Sequence, residues 1–246
     1  MANIYDTDFV NNTAYRESGS NTGGAGGAIY IHDLNSVVNL FNLTFVNNTA
    51  YTDGGGLYMH DSNRNIFITD VAFVGNTARG GEKFCSGGGI YIHDNNVFIN
   101  FIRVQLDGNT AAHYGGGLYA NVNNEEFLIE NSEITGNEAT ALNGGGVYLS
   151  SGNVNIQWND VVFSGNVANS QGGGLYTGAL NDQVTLYSVS FDGNQCSIGG
   201  GGAYVESSSN IDFLNCTFSS NEAGKGGGMY LVDSTYVNMT FVDIES

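Results

Sequence analysis

The chain has no proline in 246 residues, and only 6 lysines and arginines stand against 24 aspartates and glutamates. Missing proline suits a backbone whose N–H groups are nearly all spent in strand ladders, where proline cannot donate. Scarce basic residues give a net charge of −18. That excludes a nucleic-acid partner, which needs a basic surface, and disfavours anionic membranes. It leaves solubility, repulsion between copies, and cations as partners. No apolar run reaches the ~18 residues of a membrane span. The opening Met1-Ala2-Asn3-Ile4-Tyr5-Asp6 has neither a basic segment nor an apolar one, so no signal peptide is visible. Cysteine is limited to Cys85, Cys196 and Cys216, an odd number without a CxxC spacing, so no pairing follows.

What is abundant is glycine, 37 residues of it, arranged in repeats. One signature is an apolar residue, two spacers, Asn, one spacer and a small residue. It occurs at Phe9/Asn12/Ala14, Phe45/Asn48/Ala50, Phe73/Asn76/Ala78, Leu106/Asn109/Ala111, Ile134/Asn137/Ala139, Phe163/Asn166/Ala168, Phe191/Asn194/Cys196 and Phe218/Asn221/Ala223. The Asn-to-Asn steps are 36, 28, 33, 28, 29, 28 and 27, the long ones carrying extra residues near Arg16–Thr22 and Gly80–Ser86. A second signature is a glycine run, an aliphatic residue and tyrosine. It ends at Tyr30, Tyr58, Tyr91, Tyr119, Tyr148, Tyr176, Tyr204 and Tyr230 with the same period.

Counting back from each Phe position, offsets 7, 5, 2 and 0 are apolar, as in Val38, Leu40, Leu43, Phe45 and Ile156, Trp158, Val161, Phe163. Ser132 is the one departure in the middle of the chain. Alternation with period two means strands with one buried face, and the shift from odd to even offsets marks a bulge or corner. Helical repeats share such periods, but several glycines per repeat at ~1 kcal/mol each oppose them. The nine-residue Gly/Asp repeat of a calcium β-roll is absent. A coil this short buries its apolar face only by stacking on its neighbours. The fold class is therefore all-β: one single-stranded parallel β-helix domain over residues 1–246, a solenoid of about eight coils.

The two signatures, read at Gly26-Gly27-Ala28-Ile29 and Phe9-Val10-Asn11-Asn12 and recurring down the chain, resemble the repeats of chlamydial polymorphic outer membrane proteins and related right-handed β-helix surface proteins. The resemblance implies right-handed coiling, an extracellular or cell-surface location, and work as an adhesin or surface antigen. Members of that family also carry a signal peptide and a C-terminal membrane barrel, neither of which the chain shows.

Stacking turns each repeat position into a column. The Asn column is expected at a turn, its amides bonding backbone and one another. Cys196 and Cys216 fall on inward positions as small hydrophobes, whereas Cys85 lies in an insertion. The eight tyrosines point outward by parity. They are expected either to form an aromatic strip beside a bare glycine strip, a flat docking surface for a glycan or another rod, or simply to cover neighbouring strands. His32-Asp33, His60-Asp61 and His93-Asp94 follow tyrosine at one offset in three consecutive coils. Stacked outward imidazoles beside carboxylates suit a transition metal or pH sensing, and are also what repeat duplication leaves behind. Glycosylation sequons stand at Asn11, Asn42, Asn47, Asn215 and Asn238, all at outward or turn positions.

Enzymes on β-helices act on polysaccharides. A lyase needs a basic proton acceptor near calcium-binding acids. The basic residues Arg16, Arg64, Arg79, Lys83, Arg103 and Lys225 are scattered over different coils, and Arg103 alone sits mid-strand, with no acid cluster expected in register. Paired carboxyls for hydrolysis would have to come from loops such as Asn123-Asn124-Glu125-Glu126. No cofactor is expected, although bound calcium or another divalent cation is compatible with the acidity. The first strand (Ala2, Ile4, Thr7, Phe9) and the last (Val237, Met239, Val242, Ile244) match the inward offsets, so the rod is expected to be uncapped. It is then a piece of a longer protein or a protomer that stacks end to end. The expected function is that of a non-enzymatic extracellular structural or interaction protein, a rigid acidic rod serving as surface adhesin or filament subunit. The alternative is a carbohydrate-active or carbohydrate-binding β-helix.

Overall fold

The computed structural model describes residues 2–16, 23–80 and 85–245. The insertions at 17–22 and 81–84, with Lys83, lie outside the described residues. All regular structure among the described residues is strand, in three parallel sheets that wind as one solenoid. Each coil runs through a long strand, an Asn turn, a two- or three-residue strand or bridge, the glycine run, and the tyrosine strand. In the second coil these are Val38–Val46, Thr49–Ala50 and Leu57–Met59, and in the third Arg64–Val74, Thr77–Ala78 and Ile90–Ile92. Eight coils complete this circuit before the final strands Thr235–Thr240 and Asp243–Ile244. Equivalent residues pair directly: Phe45 with Phe73, Ala50 with Ala78, Tyr58 with Tyr91. At about 4.8 Å per strand the rod is roughly 40 Å long.

The change of offset within each long strand is a corner made by one left-handed residue. Asn42, Asp70, Arg103, Asn131 and Asp160 occupy it with φ of 52°, 55°, 54°, 49° and 53°. Asn and Asp tolerate that region because their short side chains bond locally. The corner resets the alternation, so offsets 7, 5, 2 and 0 all point inward. The resulting core is continuous, with Phe45 stacked on Phe73 at 4.4 Å and Phe163 on Phe191 at 4.7 Å. At Ser132 the core has a defect: a cavity of about 10 Å³ opens among Val104, Leu106, Ile129 and Ile134. The Ser132 hydroxyl accepts the Val104 N–H at 3.0 Å and donates to Glu130 O at 2.8 Å.

The glycine runs before the last coil's are interior, which corrects the expectation of a bare glycine surface. In the second coil Gly54, Gly55 and Gly56 are all buried. Gly54 has φ of 66°, and a Cβ on Gly55 would lie 2.1 Å from Gly88 O and 2.6 Å from Thr77 N. The run is thus pressed against the next coil and against the short Thr-Ala strand, backbone to backbone, and no side chain fits between.

Candidate functional site

Two ladders of asparagine run the length of the rod. In the expected one, from Asn12 to Asn221, each backbone N–H and each amide nitrogen donates to the amide oxygen one coil on. For Asn137 both bonds reach Asn166 Oδ1 at 3.0 Å, and its Nδ2 also donates to Leu106 O at 2.8 Å. These residues are buried from Asn48 to Asn194, with their polar groups satisfied. A second ladder passed unnoticed in the sequence: Asn35, Asn63, Asn96, Asn124, Asn153 and Asn181, joined through the same bonds. Each stands ten residues before its Phe position, a regularity that would have revealed it.

The tyrosines stack as a column with ring centroids 4.6 to 5.5 Å apart. They do lie on the outer side of their strands, but they do not form an open strip. Tyr58, Tyr91, Tyr176 and Tyr204 are buried; Tyr119, Tyr148 and Tyr230 are intermediate; Tyr30 alone, at the end of the column, is 43% exposed. In several coils the residue before the glycine run lies against the column. Tyr114 packs on Tyr148 at 4.8 Å, Gln171 hydrogen-bonds Tyr204, and Gly199 lies over the Tyr230 ring. Burial pushes the phenols of Tyr58, Tyr91, Tyr148 and Tyr176 up, so they stay protonated. The column is an outer core layer, which is the second of the two readings, rings covering neighbouring strands.

Beside the tyrosines, His32, His60 and His93 stack at 5.5 and 5.0 Å. Their aspartates interleave with them. Asp33 bonds His60 Nδ1 from the preceding coil, and Asp61 bonds His93 Nδ1 in the same way. Asp33 also accepts the Asp61 N–H at 3.0 Å, and Asp61 the Asp94 N–H at 3.1 Å. Asn121 ends the series, donating to Asp94 at 2.7 Å. The His60 hydrogen bond holds the Asp33 carboxyl below the usual range. For Asp61 burial acts upward, but the bonds from His93 and the Asp94 N–H outweigh it and leave the carboxyl lowered. Potential ligand atoms of His60, Asp61 and His93 lie within 4.8 Å of one another. His32, with its side chain 74% exposed, stands outside that group.

The basic and thiol groups are poorly placed for chemistry. Arg103 has a single acid at its own corner position: Asp70, one coil back, holds it by two bonds of 2.6 and 2.8 Å. Cys196 and Cys216 are buried, as their columns required, and so is Cys85. Burial pushes all three thiols up, Cys85 to about 11, away from the reactive thiolate.

A family model described as a right-handed beta helix region matches residues 88–245. The chain belongs to the right-handed β-helix family. A model of the Chlamydia polymorphic membrane protein repeat also matches residues 6–32 and 42–59, where the glycine-run and FxxN elements first occur. No curated protein and no solved structure matches the chain. The resemblance read from the repeats, and the handedness it implied, are thus supported at both ends of this β-helix. No helix among the described residues is long and apolar enough to cross a membrane.

Exposed aromatic rings also lie outside the tyrosine column. Tyr5, Phe41, Phe67 and Phe98 are 50%, 41%, 38% and 47% exposed on the outside of the long sheet. Tyr5 and Phe41 meet edge to face at 6.3 Å, and a shallow groove of about 190 Å³ runs among Tyr5, Phe41, Phe67 and Asn39. Sequence pattern could have found them as apolar residues at outward offsets. The sequon residues Asn11, Asn42, Asn47, Asn215 and Asn238 are all exposed. Three of them donate to side chains one coil back: Asn42 to Asp6, Asn215 to Ser188 and Asn238 to Asp212.

Proposed function

We propose that this chain is a non-enzymatic, surface-displayed interaction protein, a rigid acidic β-helical rod that acts as an adhesin. The observation that carries this reading is the unbroken register of the solenoid. Among the described residues, core, tyrosine and asparagine columns continue from coil to coil without a cleft that gathers acids, bases and nucleophiles. Such a body transmits position along its length and offers its flanks for contact. The similarity of residues 6–32 and 42–59 to the repeat of Chlamydia polymorphic membrane proteins supports a surface or outer-membrane location. The exposed rings at Tyr5, Phe41 and Phe67, flanked by Asn3 and Asn39, supply an amphipathic flank suited to a glycan, since aromatic faces combine apolar area with polar neighbours. Arg103, locked on Asp70, is a poor proton acceptor, which weighs against a lyase.

A glycan array and a cell-binding assay with the purified chain test the reading. Binding is expected, and changing Phe41 and Phe67 to Ser should weaken it at least several-fold. No binding to any glycan or cell surface would sink the adhesin reading. Calcium-dependent release of unsaturated sugars from an acidic polysaccharide would replace it with an enzyme.

A further inference from the structure

Three imidazoles in consecutive coils are more than a decorated surface, because the aspartates between them fix how the rings sit. Asp61 is the central group. It lies between the rings of the second and third coils, with one carboxylate oxygen on His93 Nδ1 and the other 3.8 Å from His60 Nδ1. Its own position is set by the Asp94 N–H, and that of His60 by Asp33. Ligands whose orientation is held by hydrogen bonds to neighbouring groups are the usual construction of a protein metal site.

We propose that His60, Asp61 and His93 form a binding site for a borderline divalent transition metal of the zinc class. Two imidazole nitrogens and a carboxylate are a donor set such ions select over calcium and magnesium, which take oxygen alone. Asp33, hydrogen-bonded to His60 Nδ1, lies beside this group as an orienting residue. A separation of up to 4.8 Å exceeds the ~3.4 Å between ligands of a tetrahedral ion bonded at about 2.1 Å, so binding draws the two rings together around Asp61. Both side chains are 28% exposed and have room to pivot. Among the described residues the group occurs once in the ladder. On one side His32 is too exposed to be held, and on the other Asn121 occupies Asp94. The acidity of the whole chain raises the local concentration of cations without choosing among them; the two histidines make the choice. The ion joins adjacent coils and acts as a cross-coil staple, so it stabilises the folded rod by mass action.

The test is zinc titration of the whole chain by calorimetry and thermal melting, in excess calcium to saturate nonspecific acidic sites. One zinc per chain and a rise in Tm are expected. His60→Gln with His93→Gln should abolish both effects, while Arg103→Gln, in the long sheet, should leave them intact. Because the double variant also loses ring stacking, the unsubstituted protein supplies a second readout: zinc should shift the imidazole NMR signals of His60 and His93 and leave that of His113 in place. No saturable zinc site in calcium, equal binding by the double variant, or shifts confined to His32 or His113 would each overturn the proposal.

Discussion

Asp53 stands immediately before a glycine run, one of the residues that cover the tyrosine column. Its Oδ1 accepts the Ser86 N–H at 2.9 Å, and burial pushes its carboxyl up to about 7, with the Ser86 bond and His93 offsetting only part of the rise. The unfolded carboxyl titrates at the ordinary 3.8. Between those values the folded chain keeps a proton that the unfolded chain has lost. Stability is therefore full below the unfolded pKa, falls as pH rises through the window, and is flat above it. Asp53→Asn keeps the acceptor for Ser86 and removes the charge. It is expected to exceed the parent in stability by on the order of 1 kcal/mol at about pH 8, and the advantage should vanish near pH 4. Urea melts at the two pH values check this, and an advantage independent of pH would contradict it.

At the scale of the element, the asparagine ladders fasten each turn to the next. Asn137→Ala removes two donated bonds and leaves both the N–H and the side-chain amide of Asn109 without their acceptor in a buried turn. The expected cost is about 2–4 kcal/mol, measured as a lower midpoint in urea at unchanged slope. This ladder was legible because one residue type recurs at one distance from a conspicuous Phe. The second ladder is as regular but ends in Ser208 and Ser234, and no neighbouring motif draws attention to it. The tyrosine strands show a different limit. Parity within the strand correctly put the rings on its outer side. What lies over them, Tyr114 or Gln171, comes from another segment of the coil and leaves no trace in the alternation of the tyrosine strand.

The whole molecule carries a charge of −18 on a narrow rod. Acids on the long sheet pair in register with neutral residues, as Glu125 with Val154, Glu130 with Asn159 and Asp192 with Ser219, so their repulsion acts over longer distances, on the scale of the ~10 Å Debye length at 0.1 M salt. Raising sodium chloride from about 0.02 to about 0.3 M shortens that length and is expected to raise Tm by a few degrees. Scanning fluorimetry across the series measures it, and a flat or falling Tm would show that the repulsion is already relieved in the folded rod. The Arg103–Asp70 pair is an attraction between coils on this acidic surface.

The sequence by itself determined the solenoid: the period, the inward residues, the corner, the asparagine turn and the buried fate of Cys196 and Cys216. In-register stacking converts equal offsets into columns, so a one-dimensional repeat already states who lies above whom. Only the tertiary structure decided which columns are open. It sealed the glycine runs against the short strands, covered the tyrosines, exposed Tyr5, Phe41 and Phe67, and set Asp61 between His60 and His93. Those outcomes depend on contacts between different faces of the coil and on the length of the turns joining them. Periodicity along one strand carries no record of either.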